Sequence, residues 1–570
     1  MCGIAGVYSL GSHQPDPDRA SRMSSVMAHR GPDGHGLWQS EQKNLILVHR
    51  RLSIIDLSDS AAQPMLSKDG QITIVFNGEI YNYIEVREEL KKLGMEFHTS
   101  SDTEVVIQAY RQYGISCLDR FDGMFAIAIW DAQKHKLICA RDRFGEKPFF
   151  YSWDGKQLVF ASEIKAIMAY NGSLAPDTDY LNEYLKNEHI LNDERTFFSG
   201  VESLPPAHWM EVSPAGLKTH CYWQINLNNR APVAGIEEYT EEFRRLFKES
   251  TDKRLRSDVA VGSSLSGGLD SSSIVSLLYE MNTTNMQTFS ARFNGEKDEG
   301  DWIGYVNKKT GFPNYEVWPE ENGFLNELEA LVWHHEFPPG SASVYAQWCV
   351  MRLARTKGVT VLLDGQGADE YLAGYDELKY FAVWEFYRKL KLRRFNHERK
   401  IFREHYGHHG NIGYAFLADP VLKLVGYRRN VFKHGMDLHE VLKFYTTNKL
   451  GTLLRYADRN SMAHSVEVRL PFLNHKLVEF VFSIPTDCIY RNGKTKYILR
   501  EAMKNVLPEQ TYRRTDKIGF APPQSSWMES DKFRLMVEPA RRGLSDFHLH
   551  NSKDDFRNLV TYALLKKFCS

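Results

Sequence analysis

Two stretches of the sequence hold residues whose types and spacing could do chemistry. The first is "MCGIAG", which places Cys2 directly behind Met1. Free cysteine is mostly a buried apolar residue, so a chain end is a poor place for one as packing. With Met1 removed, Cys2 would carry both a thiol and a free α-amine. That amine titrates near about 7.7–8.0, so part of it is neutral and can take the thiol's proton. The result is a nucleophile with its own general base. Gly3, Ala5 and Gly6 would let the backbone pass close to a substrate. The second stretch is "SLSGGLDSSSIV" (264–275), which follows an apolar strand and opens a helix. It lacks the lysine of the common phosphate loop. Its physics is related all the same. Gly267 and Gly268 permit a tight turn whose N–H groups converge on an anion, and the helix start adds its dipole. Ser266, Ser271 and Ser272 offer hydroxyls. Asp270 would repel bare phosphate, which implies a shared magnesium ion.

Other segments supply what a thiol nucleophile needs. In "FNGEIYN", Asn77-Gly78 would signal a hairpin turn, but the residues after it read helical from Ile84. The Asn77 amide and the Gly78 N–H can instead form an oxyanion hole. In "SSDTE", Ser101 and Glu104 make a capping box, leaving Asp102 to complement the helix dipole or to hold an ammonium group. "HRRLSIID" (49–56) offers arginines able to grip a carboxylate bidentately. Together these describe a site for an α-amino acid with an acyl side chain.

The elements that must position these groups fall into two rhythms. Residues up to about 200 read as strands with separate helices. "QITIVF", "MFAIAIWD" and "KLICARD" alternate, and "FFYSWDGKQLVFA" is a hairpin with Asp154-Gly155 at its tip. Helices are predicted over 84–93, with Val86, Leu90 and Leu93 on one face, and over 103–113. The stretch "INLNNRAPVAG" (225–235) is polar and rich in turn formers. Beyond it, a helix at 236–250 and the strands "VAVGSSL", "MQTFSA" and "VTVLL" alternate with helices, which implies a parallel sheet. After about 375 the pattern is mostly helical. The division expected is therefore 1–210, a linker at 211–235, and 236–570.

Bulk composition narrows the function class. The 570 residues exceed one core, and 42% hydrophobic with 25% charged is an ordinary globular profile. A net charge of −1 offers no global field for nucleic acid or anionic lipid. The basic run at 388–400 is interrupted by apolar residues at helical spacing and reads as a solvated helix face. No apolar run reaches the roughly 18–20 residues of a membrane helix. Seven scattered cysteines without a CxxC pair fit a reducing cytoplasm. The partners expected are small molecules, with no nucleic acid, no membrane, and a homodimer left open.

"MCGIAG", "HRGPDG" (29–34), "RLSIID", "FNGEIYN", "SDTEV" and "RDRFGEKPFFY" (141–151) resemble, in order, the motifs of the class II, N-terminal-nucleophile glutamine amidotransferases. The resemblance implies an αββα sandwich in which Cys2 attacks glutamine and releases ammonia. It implies an oxyanion role for Asn77 and Gly78, and glutamine binding by Arg51, Asn77, Gly78, Glu79 and Asp102. The second half resembles the ATP pyrophosphatase ligases. "LLDGQGADEYLAGY" (362–375), "LLRYADRNSMAHSVEVRLPFLN" (453–474) and "GKTKYILRE" (493–501) are similar to the synthetase domain of glutamine-hydrolysing asparagine synthetases. The resemblance implies a carboxylate adenylated by ATP and displaced by ammonia. ATP contacts would come from Ser264, Leu265, Ser266, Gly267, Gly268, Asp270, Ser271, Ser272, Ala291, Asp364, Gly365 and Gln366. Asp270 and Asp369 would share Mg2+, and Lys496 would neutralise phosphate charge. One residue departs from the pattern: Gln366 stands where asparagine-forming members often carry Glu. Gln366 cannot act as a base. Asp364, Glu370 or Glu467 are the neighbouring acids, and carboxylates other than aspartate, such as sugar acids of surface polysaccharides, stay open as acceptors. A glutaminase with an idle second half is a further alternative. Because ammonia in neutral water is mostly ammonium, an apolar channel is expected along the domain interface, lined partly by the "MFAIAIW" strand.

Overall fold

The strands of the first half follow the period of two in their apolar residues. In chain order they are β1 (Gly3–Ser9), β2 (Gly34–Gln39), β3 (Leu45–Arg51), β4 (Met65–Leu66), β5 (Ile72–Ile80), β6 (Gly123–Asp131), β7 (Lys136–Arg141), β8 (Phe150–Trp153), β9 (Gln157–Ala161), β10 (Glu202–Ser203), β11 (His208–Ser213) and β12 (Gly216–Cys221). They form two antiparallel six-stranded sheets, ordered β10-β8-β9-β1-β3-β2 and β12-β11-β7-β6-β5-β4. The computed structural model describes every residue other than 1, 12, 188–193, 296–297, 407–435, 517–518, 521 and 570.

Alternation sorts the side chains into layers. From β1, Ile4 and Tyr8 face Val75 of β5 and Ala126, Ala128 and Trp130 of β6 between the sheets. Ala5 and Val7 face the other way, under Ala20 and Met23 of the helix Pro17–Val26 and Ile164 and Ile167 of the helix Ile164–Asn171. Ile74, Phe76, Ile127 and Ile129 pack under the helices Tyr83–Lys92 and Asp102–Tyr113. The result is the αββα sandwich expected. Each fully buried Leu, Ile, Val or Phe here stabilises by about 1.5–3 kcal/mol relative to exposure.

Three local expectations need correction. Leu93 does not join the buried face of Val86 and Leu90; the helix stops at Lys92 and Leu93 is 51% exposed. Ser101 does cap its helix, accepting from the Thr103 N–H at 3.1 Å. Glu104 does not close the box: its carboxylate accepts from the N–H groups of His98 (2.9 Å) and Thr99 (2.7 Å) instead. The second sheet also runs on past residue 210. β11 pairs with β12 from His208 to Cys221, so a division at 210 would cut through β11.

The second half is built on β13 (Val261–Ser264), β14 (Thr288–Ala291), β15 (Asn314–Val317), β16 (Val361–Leu363) and β17 (Glu467–Arg469). All four neighbouring pairs are parallel, in the order β15-β14-β13-β16-β17. Strand order reverses between β13 and β16. In open parallel sheets that switch point opens a crevice at the carboxyl ends of the strands. The helix Ile236–Lys253 leads into β13, burying Tyr239, Phe243, Leu246 and Phe247 as its spacing predicts. The basic run starts at the end of the helix Asp376–Arg388 and continues on the helix Leu392–Tyr406, where Arg394 pairs with Glu398 at 2.9 Å and Phe395 turns inward. Among the described residues, no helix is long and apolar enough to cross a membrane.

The halves share interior. The apolar layer over the first sheet takes in Phe324, Leu328 and Leu331 of the helix Glu321–His335 and Phe556, Val560 and Leu564 of the helix Asp555–Phe568. A separate apolar patch joins Leu52, Ile54, Tyr81 and Met124 to Val361 and Met462. Met124 is the part of "MFAIAIW" that reaches this patch; the rest of the strand is spent on the sandwich layers.

Candidate active sites

Cys2 sits at the start of β1 and is 8% exposed. β5 runs alongside with Asn77 near its end, and the two meet: the Cys2 N–H donates to Asn77 Oδ1 at 3.0 Å. That bond fixes which end of the amide points where. Asn77 Nδ2 is buried with no hydrogen-bond partner among the described residues. Leaving such a donor unpaired costs about 1–3 kcal/mol, which a developing oxyanion would recover. Gly78 follows with φ of +152°, and a Cβ there would fall 2.0 Å from the Met124 carbonyl oxygen. Only glycine fits, because β5 and β6 run backbone to backbone at this register. Burial pushes the Cys2 thiol above its ordinary range, with Glu467 and Glu79 adding to the shift. The resting sulfur is therefore the protonated thiol, and attack needs a base.

Two carboxylates lie close by on the same side. Asp102 opens its helix, is 5% exposed, and accepts from the Ile80 N–H at 3.0 Å. Burial raises its carboxyl to about 6. Glu79, on β5, is raised well above the carboxylate range by burial and then by Asp102 and Glu467. Carboxyls raised in this way ionise more readily when a cation is brought to them. Arg51, at the end of β3, donates Nη1 to the Ser58 carbonyl at 2.8 Å and Nη2 to the Asp56 carbonyl. The loop after β3 thus anchors its guanidinium.

The sequence did not single out Arg469 for this site. Arg469 comes from β17 in the other half, donates Nε to Glu467 at 2.5 Å, and lies 3.4 Å from Glu79 Oε1 through Nη2. Glu467 therefore stands with Glu79 and Asp102, not at the second cavity where it was a candidate acid. The reason is topological: its residue starts β17, and the cavity lies at the carboxyl ends of the strands.

That second cavity, about 320 Å³, opens at the β13/β16 switch point. The loop after β13 supplies Ser264, Leu265, Ser266 and Gly268, and the helix Leu269–Glu280 adds Asp270 and Ser271. The loop after β16 supplies Asp364, Gly365 and Gln366. Gly267 does not line the cavity. It makes the turn, with φ of +75° and a Cβ position 2.6 Å from Trp302 Cβ, and its carbonyl accepts from Arg514 Nη1 at 3.0 Å. Ser272 and Ala291 are buried and do not line the cavity, whereas Phe289, two residues before Ala291 on β14, does. Gly365 lets the two loops approach closely: a Cβ there would come within 3.0 Å of Asp270 Cβ and of the Ser271 nitrogen at the helix start.

Lys496 enters from the start of the helix Tyr497–Ala502 in a left-handed conformation, φ +53°. Such a backbone costs about 1–3 kcal/mol in a non-glycine residue and persists only where the surroundings enforce it. Its Nζ pairs with Asp270 Oδ2 and lies 2.6 Å from Asp369 Oδ1. Burial works against the ammonium, but Asp270 and Asp369 outweigh it and hold the group above the ordinary lysine range. Gly374 makes this possible: a Cβ there would land 1.7 Å from Asp369 Oδ1. Gly374 lies within the "LLDGQGADEYLAGY" motif, but nothing in the sequence assigned it this role. Of the remaining acids, Asp364 lines the cavity, whereas Glu370 is buried and bonded by the Tyr375 hydroxyl at 2.5 Å.

Magnesium can be tested against these groups. An ammonium already lies between Asp270 and Asp369, so the two carboxylates converge on one cation position. Among the described residues no group of three or more His, Cys, Asp or Glu could hold a metal by itself. Two carboxylates completed by phosphate oxygens and water are the usual surroundings of magnesium, and the residues fit it.

Residues 1–223 match the glutamine amidotransferase domain family, and residues 242–556 match the asparagine synthase family. A glutamine-hydrolysing asparagine synthetase of Bacillus subtilis (strain 168), number 1, is 32% identical over 96% of this chain and 91% of its own length. Number 3 of the same organism is 30% identical over 93% and 90%. An amidase of Gibberella zeae is 28% identical over 92% and 90%. The chain is thus an enzyme in which a glutamine amidotransferase is joined to an ATP-using synthase, a carbon–nitrogen ligase with glutamine as nitrogen donor. With both halves matched and relatives of 30% identity or more along nearly the whole length, it belongs to the glutamine-hydrolysing asparagine synthetase family.

Proposed function

We propose that the enzyme hydrolyses glutamine at Cys2 and delivers the ammonia to an aspartyl adenylate, giving asparagine, AMP, pyrophosphate and glutamate. The observation that carries this reading is the cavity at the switch point, where the glycine loop, Asp270, Asp369 and Lys496 converge.

In the first half, glutamine's carboxylate pairs with Arg51 and its ammonium with Asp102 and Glu79. With Met1 removed, the nitrogen held by Asn77 Oδ1 is the α-amine that takes the thiol's proton. The sulfur attacks the side-chain carbonyl, and Asn77 Nδ2 with the Gly78 N–H holds the oxyanion. Ammonia leaves, and water hydrolyses the thioester. In the second half, Ser264, Leu265, Ser266, Gly268 and Ser271 bind ATP, with Gly267 and Ser272 shaping the loop. Asp364, Gly365 and Gln366 face the nucleotide and acceptor, and Ala291 supports that wall from behind. Asp270 and Asp369 would hold magnesium, which screens charge on the departing pyrophosphate. Lys496 neutralises phosphate charge as the carboxylate attacks. Ammonia travels by the apolar patch around Leu52, Met124 and Val361. The polar stretch ending at 235 separates the two units, a division that runs later than residue 210.

A second reading keeps the mechanism and changes the acceptor. It is favoured by Gln366, which puts an amide rather than a carboxylate in the cavity wall, and by the amidase among the relatives. AMP release measured against a panel of carboxylic acids separates the two. Aspartate should raise AMP formation above the ATP-only rate, and turnover indifferent to aspartate would rule out the first.

A further inference from the structure

The turn Ala28–Arg30 and the helix Leu450–Ala463 come from opposite halves of the chain and meet next to Cys2. Arg30 is fully buried. Its Nε donates to the Cys2 carbonyl at 3.1 Å. Its other two nitrogens form a bidentate pair with Asp458, Nη1 to Oδ2 at 2.9 Å and Nη2 to Oδ1 at 3.0 Å. Nη1 also reaches Glu163 at 3.1 Å. A planar guanidinium held at both ends in this way has one orientation, and that orientation sets the Cys2 backbone. The helix that carries Asp458 fixes the turn a second time: Ser465, just beyond its end, donates its hydroxyl to the His29 carbonyl at 2.6 Å.

The same helix reaches the other site. Leu453 and Tyr456 line the ATP cavity, and Asn460 donates to the Val344 carbonyl and to Gln347 Oε1, both at 2.9 Å, two residues of the cavity wall. One rigid element therefore has its first turns at the nucleotide and its later turns on the clamp around Cys2.

We infer that Asp458 is a positioning residue for the thiol, so that the glutaminase site is completed by a side chain of the synthetase half. Asp458 orients Arg30, Arg30 fixes the Cys2 carbonyl, and the sulfur is thereby aimed at the bound amide. This rests on Cys2 being the nucleophile.

The test is Asp458→Asn in the full-length chain, with glutamine hydrolysis and ammonia-supported AMP formation measured separately. Asn keeps the shape and removes the charge that locks the fork. The kcat for glutamine hydrolysis should fall at least tenfold. Its KM should stay within threefold, because Arg51 and Asp102 are untouched. AMP formation from added ammonia should stay within twofold. Arg30→Gln should cost about as much, and the double variant no more than either alone, as expected of residues acting as a unit. A folded Asp458→Asn enzyme with unimpaired hydrolysis overturns the inference. If ammonia-supported activity falls as well, Asp458→Glu, which keeps the charge but displaces the carboxylate, decides. The hydrolysis-only defect supports the inference, and equal loss of both activities refutes it. Failure of the underlying reading looks different: hydrolysis would then survive Cys2→Ala.

Discussion

Gly374→Ala puts a methyl group into the space where Lys496 meets Asp369. The backbone at Gly374 lies outside the left-handed region, so alanine is compatible with it. The conflict is entirely with side chains. The new Cβ would lie 1.7 Å from Asp369 Oδ1 and 2.6 Å from Lys496 Cε. To regain ordinary contact the carboxylate must retreat by about 1.5 Å, which opens its 2.6 Å ion pair with Lys496 toward about 4 Å. A displacement of about 1 Å in a catalytic group costs on the order of 100-fold. At about 1.36 kcal/mol per decade, that is about 2.7 kcal/mol of barrier. The assay is AMP and pyrophosphate release with ammonia as nitrogen donor, so that the glutamine site does not enter. AMP formation should drop about 100-fold, while glutamine hydrolysis in the same preparation stays within twofold. A Gly374→Ala enzyme that makes AMP at the unaltered rate would falsify the claim that AMP formation depends on where Asp369 and Lys496 are held.

Three further outcomes follow from the same geometry. Cys2→Ala should abolish use of glutamine while free ammonia still supports amidation; if both activities vanish, the division of labour between the halves is wrong. Asp270→Ala should do the reverse, ending AMP formation and sparing hydrolysis, and persistence of ATP turnover would remove Asp270 from the phosphate site. Asp102→Asn should trade binding for stability. The folded carboxyl titrates at about 6 against 3.8 ordinarily, so its charge opposes folding. That cost is absent below about pH 3.8, grows as pH rises, and is complete above about 6, reaching about 3 kcal/mol. Thermal unfolding should therefore shift upward in the variant at pH 7.5 and converge with the unaltered chain near pH 4, while KM for glutamine rises at least tenfold. A variant less stable at pH 7.5 contradicts the net cost assigned to the buried carboxylate.

The parts of this enzyme that declare themselves in sequence are those whose signal is local. β6 and the first part of β5 read correctly because alternate residues enter different layers, although β5 runs on through Asn77 and Gly78 to Ile80, and the "SLSGGLDSSSIV" loop reads correctly because a strand, two glycines and a helix start lie within twelve residues. β17 is three residues long, shorter than any period can register, yet it carries Arg469 to Glu79. Ser101 and Glu104 have the spacing of a box, but the Thr99 and His98 amides compete for Glu104 and win, since two backbone donors outweigh one. Arg30 and Asp458 are 428 positions apart, each inside a separate motif, and no spacing in the sequence pairs them; the fold does. Which residue of β14 lines the cavity, Phe289 rather than Ala291 two positions on, is a distinction that spacing alone cannot resolve.

The layer of side chains over the first sheet belongs to no single half. It is drawn together from residues 20–27, 164–185, 197–201, 324–349 and 527–568. A chain built this way has no seam along which a protein engineer could lift out the nitrogen-donating module and graft another in its place. A transplanted first half would present a bare oily face unless the helices Glu321–His335 and Asp555–Phe568 were exchanged with it. Kinship between the two activities is thus written into shared interior as well as into a common product.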